Sequence, residues 1–211
     1  MALVVKIEDG DLRLAFWQLT EDVNALVSSA LFTDDDRKEF QLLHHEKRKR
    51  EFVASRAALR IGLENSETVL YAPTGKPHLP SSAISMSHCL PIAGALIHPT
   101  YAGFDIQIAD KKLHTIRHRF AHSDELKSAS QSRSELDYLT LLWSTKEAVF
   151  KVFGENLTFA TDILVRPFQI GDSYLVADVR HNHQKFEIAL HAFKVCDLWV
   201  VAVRSATTIG A

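Results

Sequence analysis

The sequence predicts an α+β protein with a boundary near Ala102. Three observations carry this. A long helix pattern opens near Ser134 and is filled by Leu139, Leu142, Trp143, Val149, Phe150 and Phe153. Four strand-like runs joined by short polar turns follow it, at 161–168, 173–179, 185–192 and 195–203, and predict a mostly antiparallel sheet. Ahead of it lie two shorter strand runs, 84–88 and 92–97, and a third at 103–108.

The remaining elements follow in order. Residues 2–7 and 12–19 are β-like. Thr20-Glu21-Asp22 starts a short helix to about Ala30. Thr33-Asp34-Asp35-Asp36 is a stronger start, with acids where a helix N-terminus favours them. The helix or helix pair behind it runs to about Gly62, read as a C-terminal stop. Residues 71–77 form a turn-rich loop with Lys76 near its tip. Residues 109–133 hold a short helix or ordered loop, then a second short helix from Ser123. Ser134 with Asp137 resembles a capping box for the long helix.

The 211 residues make one large domain or two small ones, and the composition is that of a globular protein with a sizeable core. A net charge of −2 argues against wholesale nucleic-acid binding. The N-terminus lacks the apolar run of a signal peptide, and no run reaches the length of a membrane span. Cys89 and Cys196 are no disulfide framework, so a cytoplasmic location is expected, with one bridge between them left open. The eleven histidines form no metal-ligand pattern.

The chemistry concentrates in two stretches. Glu147 and Lys151 are four residues apart and share a helix face, with Lys146 about 100° round from Glu147. Such a pair is commonly a surface salt bridge. Here Gly103-Phe104-Asp105-Ile106-Gln107 adds an acid inside an apolar strand. An acid on a strand facing a Glu–Lys pair on a helix could hold a metal ion beside a proton acceptor. Residues 44–50 are locally basic, either a solvated helix face or an anion-binding patch, and Arg56 and Arg60 continue the positive character. Lys76 either solvates its loop or holds a phosphate, and His88 is either structural or functional.

In order and spacing these motifs resemble the 4′-phosphopantetheinyl transferase superfamily, in its long, single-chain surfactin-type branch. Trp143-Ser144-Thr145-Lys146-Glu147-Ala148 with Lys151 matches that family's W-x-x-K-E-[AS]-x-x-K pattern, in its W-KEA variant. Gly103-Phe104-Asp105-Ile106 matches G-[VI]-D-[IVL]-E up to Gln107, where relatives carry Glu. Ser85-Met86-Ser87-His88 is similar to N-[IL]-S-H, Gly75-Lys76-Pro77 to the G-K-P loop, and Ser55-Arg56 with Arg60 to the upstream arginine segment.

The resemblance implies two similar α/β halves about a pseudo-twofold axis, mostly antiparallel sheets with a long helix in each, and a site in the cleft. Residues 1–102 would bind the phosphates of coenzyme A; residues 103–211 would carry the metal and catalytic residues. The implied reaction moves the 4′-phosphopantetheine arm of coenzyme A to a serine of an apo acyl or peptidyl carrier protein, as in fatty acid biosynthesis, and releases 3′,5′-ADP. By the same resemblance Asp105, Gln107 and Glu147 hold Mg²⁺, with Mn²⁺ as the alternative, and Glu147 takes the serine proton. Lys151 holds the transferring phosphate. Arg56, Lys76, Ser87 and His88 bind coenzyme A, with Arg48 and Lys49 adding charge. For Lys146, phosphate contact and positioning stay open. Lys111, Lys112, Arg117 and Arg119, with Leu113, Ile116 and Phe120, suit an acidic, amphipathic carrier. A monomer acting as a pseudo-dimer is expected, with neither nucleic acid nor membrane as partner. The alternative reading is a coenzyme A or carrier-protein binding module with impaired catalysis, for which Gln107 is the support.

Overall fold

Each half of the chain folds into its own antiparallel sheet with a long helix against it, in a computed structural model that describes residues 4–63 and 66–210. The division falls between Ala102 and Gly103. The α+β class is as the sequence predicts, with two antiparallel sheets and seven helices among the described residues.

In unit 1, β1 (Val4–Asp9) and β2 (Leu12–Gln18) form a hairpin turned by Gly10 at φ +59°. Residues 2 and 3 of the expected first strand lie outside the described residues. Asp22 caps α1 (Val23–Val27). Thr33 and Asp36 close a reciprocal capping box on α2 (Asp34–Gln41). The chain breaks at Leu42, and α3 (Glu46–Gly62) begins again. Two short strands, β3 (Leu70–Tyr71) and β4 (Pro77–His78), lead to β5 (Ala83–Cys89) and β6 (Ile92–His98). The sheet order is β1-β2-β6-β5-β4-β3.

Val53, Ala54, Ala57, Ala58 and Leu59 of α3 are fully buried in the core with Ile84, Ala93, Ala95 and Ile97 of the sheet. Small side chains let the helix sit close to the strands. The helix ends at Gly62 as the sequence predicts, and Gly62 is also part of this approach: an added Cβ would meet the Ile97 side chain at 2.9 Å.

A buried charge network ties α2 to α3. Arg60 donates to Asp36 through Nε at 2.7 Å and Nη2 at 2.8 Å, and through Nη1 to the Glu67 carbonyl. Arg56 Nε lies 3.1 Å from Asp36 Oδ1. Burial works to raise the Asp36 carboxyl, but the Arg60 bonds, the Thr33 N–H and Arg56 outweigh it and hold it below the usual aspartate range. Stability from this depressed group is present above the unfolded value of about 3.9 and is lost as pH falls through the folded value. Asp36→Asn leaves two buried guanidinium groups without their shared anion. It is expected to cost about 3–5 kcal/mol at pH 7. Urea denaturation against pH checks this: the gap to wild type should narrow below about pH 4.

In unit 2, β7 (Phe104–Gln107) is followed by α4 (Lys112–Phe120), α5 (Ser123–Gln131) and the long α6 (Glu135–Phe153). A short α7 (Phe159–Asp162) leads into β8 (Ile163–Val165), β9 (Tyr174–His181), β10 (Gln184–Val195) and β11 (Leu198–Gly210). The order is β7-β11-β10-β9-β8, and α6 packs on β7 and β11. The expected strand 161–168 shrinks to β8 because its beginning is taken up by α7. Ser134 caps α6 by accepting from the Asp137 N–H at 3.3 Å, but no reciprocal box closes. Asp137 instead accepts from Trp199 Nε1 at 2.9 Å, which ties α6 to β11. Cys89 and Cys196 form no disulfide. No described helix is long and apolar enough to cross a membrane.

Candidate active site

Strand alternation sorts the side chains of β7. Phe104 and Ile106 go into the core, while Asp105 and Gln107 share the opposite face. Above Asp105 runs α6, drawn in by Gly103. An added Cβ there would lie 2.2 Å from the Ala148 carbonyl oxygen, 2.5 Å from Val152 and 3.0 Å from Val203. Only glycine permits this approach.

The close packing brings three positions of α6 to Asp105. Ser144 Oγ donates to Asp105 Oδ2 at 3.0 Å. Lys151 Nζ donates to Asp105 Oδ1 and to the Phe104 carbonyl, both at 2.8 Å. Glu147 lies between them on the same helix face. Burial, and then the neighbouring Asp105 carboxylate, push Glu147 above the ordinary glutamate range, with Lys151 pulling the other way. No hydrogen bond or ion pair involves the Glu147 carboxylate among the described residues. It is a half-buried carboxylate of raised basicity beside a second carboxylate and an ammonium.

Those oxygens suit a divalent ion. Asp105 and Glu147 repel each other and would gain from a cation, and Gln107 adds an amide oxygen on the same strand face. Among the described residues no cluster of three or more His, Cys, Asp or Glu forms a cage. Mg²⁺ needs none, because it binds through one or two carboxylates and keeps waters and substrate oxygens.

Lys146 corrects one expectation. It is fully buried, and its Nζ donates to Glu125 Oε2 at 2.7 Å, the Phe159 carbonyl at 2.8 Å and the Ile163 carbonyl at 2.6 Å. An ammonium has three donors, so none remains for a phosphate.

Unit 1 holds a cavity of about 310 Å³ lined by Arg48, Glu51, Phe52, Arg56, Tyr71 and His88, among others. Arg56 is almost wholly buried and already committed. Its Nη2 donates to Glu39 at 2.5 Å and to the Tyr71 hydroxyl at 3.0 Å, and Phe52 covers its face at 4.9 Å. Nη1 has no hydrogen-bond partner among the described residues and is itself buried. His88 Nε2 sits 3.8 Å from Glu51 Oε2, which also accepts from Arg48 at 3.2 Å.

Ser87 does not join them. Its side chain lies on the face of β5 opposite Met86 and His88, by the same alternation that places those two on the cavity. Lys76 is half-buried beside β4, and burial lowers its ammonium below the usual lysine range. On α4, Leu113 and Phe120 are buried in their own unit, Phe120 edge-on to Trp143 at 5.1 Å. They are not the partner-facing residues that the sequence suggests. Lys111, Lys112 and Arg119 remain exposed.

Sequence reasoning missed Ser144, Glu125 and Glu51. For Ser144 the signal was present: Ser144, Glu147 and Lys151 follow an i, i+3, i+7 spacing.

The whole Asp105–Ser144–Glu147–Lys151 group falls inside one matched span. Residues 101–203 match the family model of the 4′-phosphopantetheinyl transferase superfamily. No curated protein matches the chain. That span is just under half of the chain, and the superfamily it matches transfers phosphopantetheinyl groups, with coenzyme A as substrate and typically a divalent metal. Arg56, Lys76, Ser87 and His88 lie outside the matched span.

Proposed function

We propose that this protein transfers the 4′-phosphopantetheine arm of coenzyme A to a serine hydroxyl of an apo carrier protein, with Mg²⁺ as the metal and 3′,5′-ADP as the other product. The observation that carries this reading is Glu147, a carboxylate of raised basicity, held over Asp105 by the helix that also supplies Lys151.

The serine oxygen forms a bond to the pantetheine-side phosphorus, and the bond from that phosphorus to the bridging oxygen breaks. Glu147 accepts the serine proton; its raised pKa makes it a better base than an ordinary glutamate. Lys151 spends two donors on Asp105 and the Phe104 carbonyl, which leaves one for a phosphate oxygen. The bridging oxygen departs on 3′,5′-ADP. A divalent ion held by Asp105, Glu147 and Gln107 supplies neutralisation of the pyrophosphate charge.

The cavity of unit 1 suits a phosphate monoester such as the 3′-phosphate of coenzyme A, through His88 and Arg48, with the buried guanidinium of Arg56 adding positive charge behind them. Lys76 and Ser87 belong to this reading only as flanking positions. The exposed lysines and arginine of α4 suit an acidic carrier. Replacing Lys111, Lys112 and Arg119 together by glutamate is expected to raise the KM for carrier at least tenfold while leaving the KM for coenzyme A within twofold. Steady-state kinetics at two salt concentrations check this, and the wild-type KM for carrier should rise with salt.

Chromatographic detection of 3′,5′-ADP tests the reaction. Release should require coenzyme A, apo carrier and Mg²⁺ together. Release without carrier would instead indicate hydrolysis of coenzyme A.

A further inference from the structure

Lys146 sits in the W-x-x-K-E stretch, yet every one of its donors points into the protein. Its anionic partner is Glu125 of α5, only 5 % exposed. The Glu125 carboxylate also accepts from the His122 N–H at 2.7 Å and the Val165 N–H at 2.8 Å. One carboxylate therefore joins the start of α5, the middle of α6 and the end of β8. Lys146 adds the carbonyls of Phe159 and Ile163 on either side of the α7–β8 junction. The Phe159 ring packs on Trp143 and Phe150, the residues of α6 that flank this lysine, at 5.6 and 5.5 Å.

Helix α6 is thus fixed from two directions. On one side Gly103 and Asp105 hold it to β7. On the other, Glu125 holds Lys146. Glu147 is the next residue, about 100° round the axis. A roll of about 10° at a side-chain radius of roughly 5–6 Å would carry the Glu147 carboxylate about 1 Å. A displacement of that size can cost about a hundredfold in rate.

We infer that Glu125 is a positioning residue for the transfer reaction: through Lys146 it sets the rotation of α6 and hence the placement of Glu147 beside Asp105. The rate arm of this inference rests on the proposed transferase reading; the metal-binding arm does not. Glu125 touches no reacting atom. Its effect is carried by the ammonium, which on this account is a tether rather than a phosphate ligand.

The test compares Glu125→Gln, Lys146→Met and the double variant with wild type, at a temperature where circular dichroism shows all to be folded. Carrier modification gives kcat, calorimetry gives coenzyme A affinity, and electron paramagnetic resonance gives Mn²⁺ affinity. Each single variant should lower kcat at least thirtyfold and weaken Mn²⁺ binding at least fivefold. Coenzyme A affinity should stay within threefold. The double variant should be no worse than the poorer single one, because both residues act along one path. A Glu125→Gln protein within twofold of wild type in kcat and Mn²⁺ affinity overturns the inference, as do losses that multiply in the double variant. A thirtyfold loss of coenzyme A affinity in Lys146→Met would make the lysine a phosphate ligand and overturn it equally. Glu125→Gln keeps the side-chain shape and decides alone if Lys146→Met does not fold. If wild type itself transfers nothing, the proposed reaction is what fails, and the Mn²⁺ measurement still judges the positioning role.

Discussion

Gly103→Ala is expected to abolish the transferase activity of a protein that still folds. The new methyl would need space that the Ala148 carbonyl oxygen occupies at 2.2 Å, and that atom is helix backbone, so it cannot rotate away. The helix must move off β7 instead. Asp105 would then lose its 3.0 Å bond from Ser144 and its 2.8 Å bond from Lys151, and Glu147 would move with the same helix. Overpacking of this kind costs about 1–3 kcal/mol in stability, which a unit of this size can survive. The loss in rate should be larger, at least about a hundredfold, because it compounds a displaced base with a displaced carboxylate. Thermal denaturation and carrier-modification rates measured on the same preparation separate the two effects. Wild-type rates in Gly103→Ala would mean that the contact between α6 and β7 does not set the site.

Glu147→Gln should show the opposite balance: more stable and far less active. Gln keeps the shape and removes the base, so kcat should fall about 10²- to 10⁴-fold, with little change in the KM for coenzyme A. The stability effect follows from the raised pKa. A carboxyl whose folded value exceeds its unfolded value favours folding fully below the unfolded value. That contribution is lost as pH rises through the folded value. Wild type therefore carries a penalty at pH 7 that the neutral amide lacks. In metal-free buffer the variant should melt above wild type at pH 7, and the two should converge near about pH 4, where the carboxyl is protonated. A variant that melts below wild type at pH 7 would mean that the carboxylate is stabilised by partners and is not poised as a base.

Much of this was legible in the sequence, for physical reasons that vary by residue. Helix starts read well because capping is local: Thr33 and Ser134 sit where the chain begins each helix. The Asp105–Glu147–Lys151 group was legible because a two-residue strand period and a four-residue helix spacing fix faces without tertiary knowledge. What failed depended on partners far along the chain. Asp137 looked like the second half of a capping box but answers Trp199, sixty-two residues on. Lys146 and Lys151 look alike as sequence, yet one is closed off by Glu125 and the other keeps a donor. Leu113 and Phe120 read as an apolar face for a partner, but they are the face that packs α4 in its own unit. Arg56 read as a phosphate ligand; Asp36 and Glu39 already claim most of its guanidinium, and no local pattern announces that.

Glu147, held over Asp105, is proposed to drive phosphopantetheine transfer to a carrier serine. Intact-mass analysis of an apo carrier protein, incubated with coenzyme A, Mg²⁺ and either wild type or Glu147→Gln, is the deciding experiment. Wild type should add one phosphopantetheine group, located on a single serine, and Glu147→Gln almost none over the same time. Equal gain with both proteins would remove Glu147 from the mechanism. No gain with wild type across several carriers, with Mg²⁺ and with Mn²⁺, would contradict the proposed function itself.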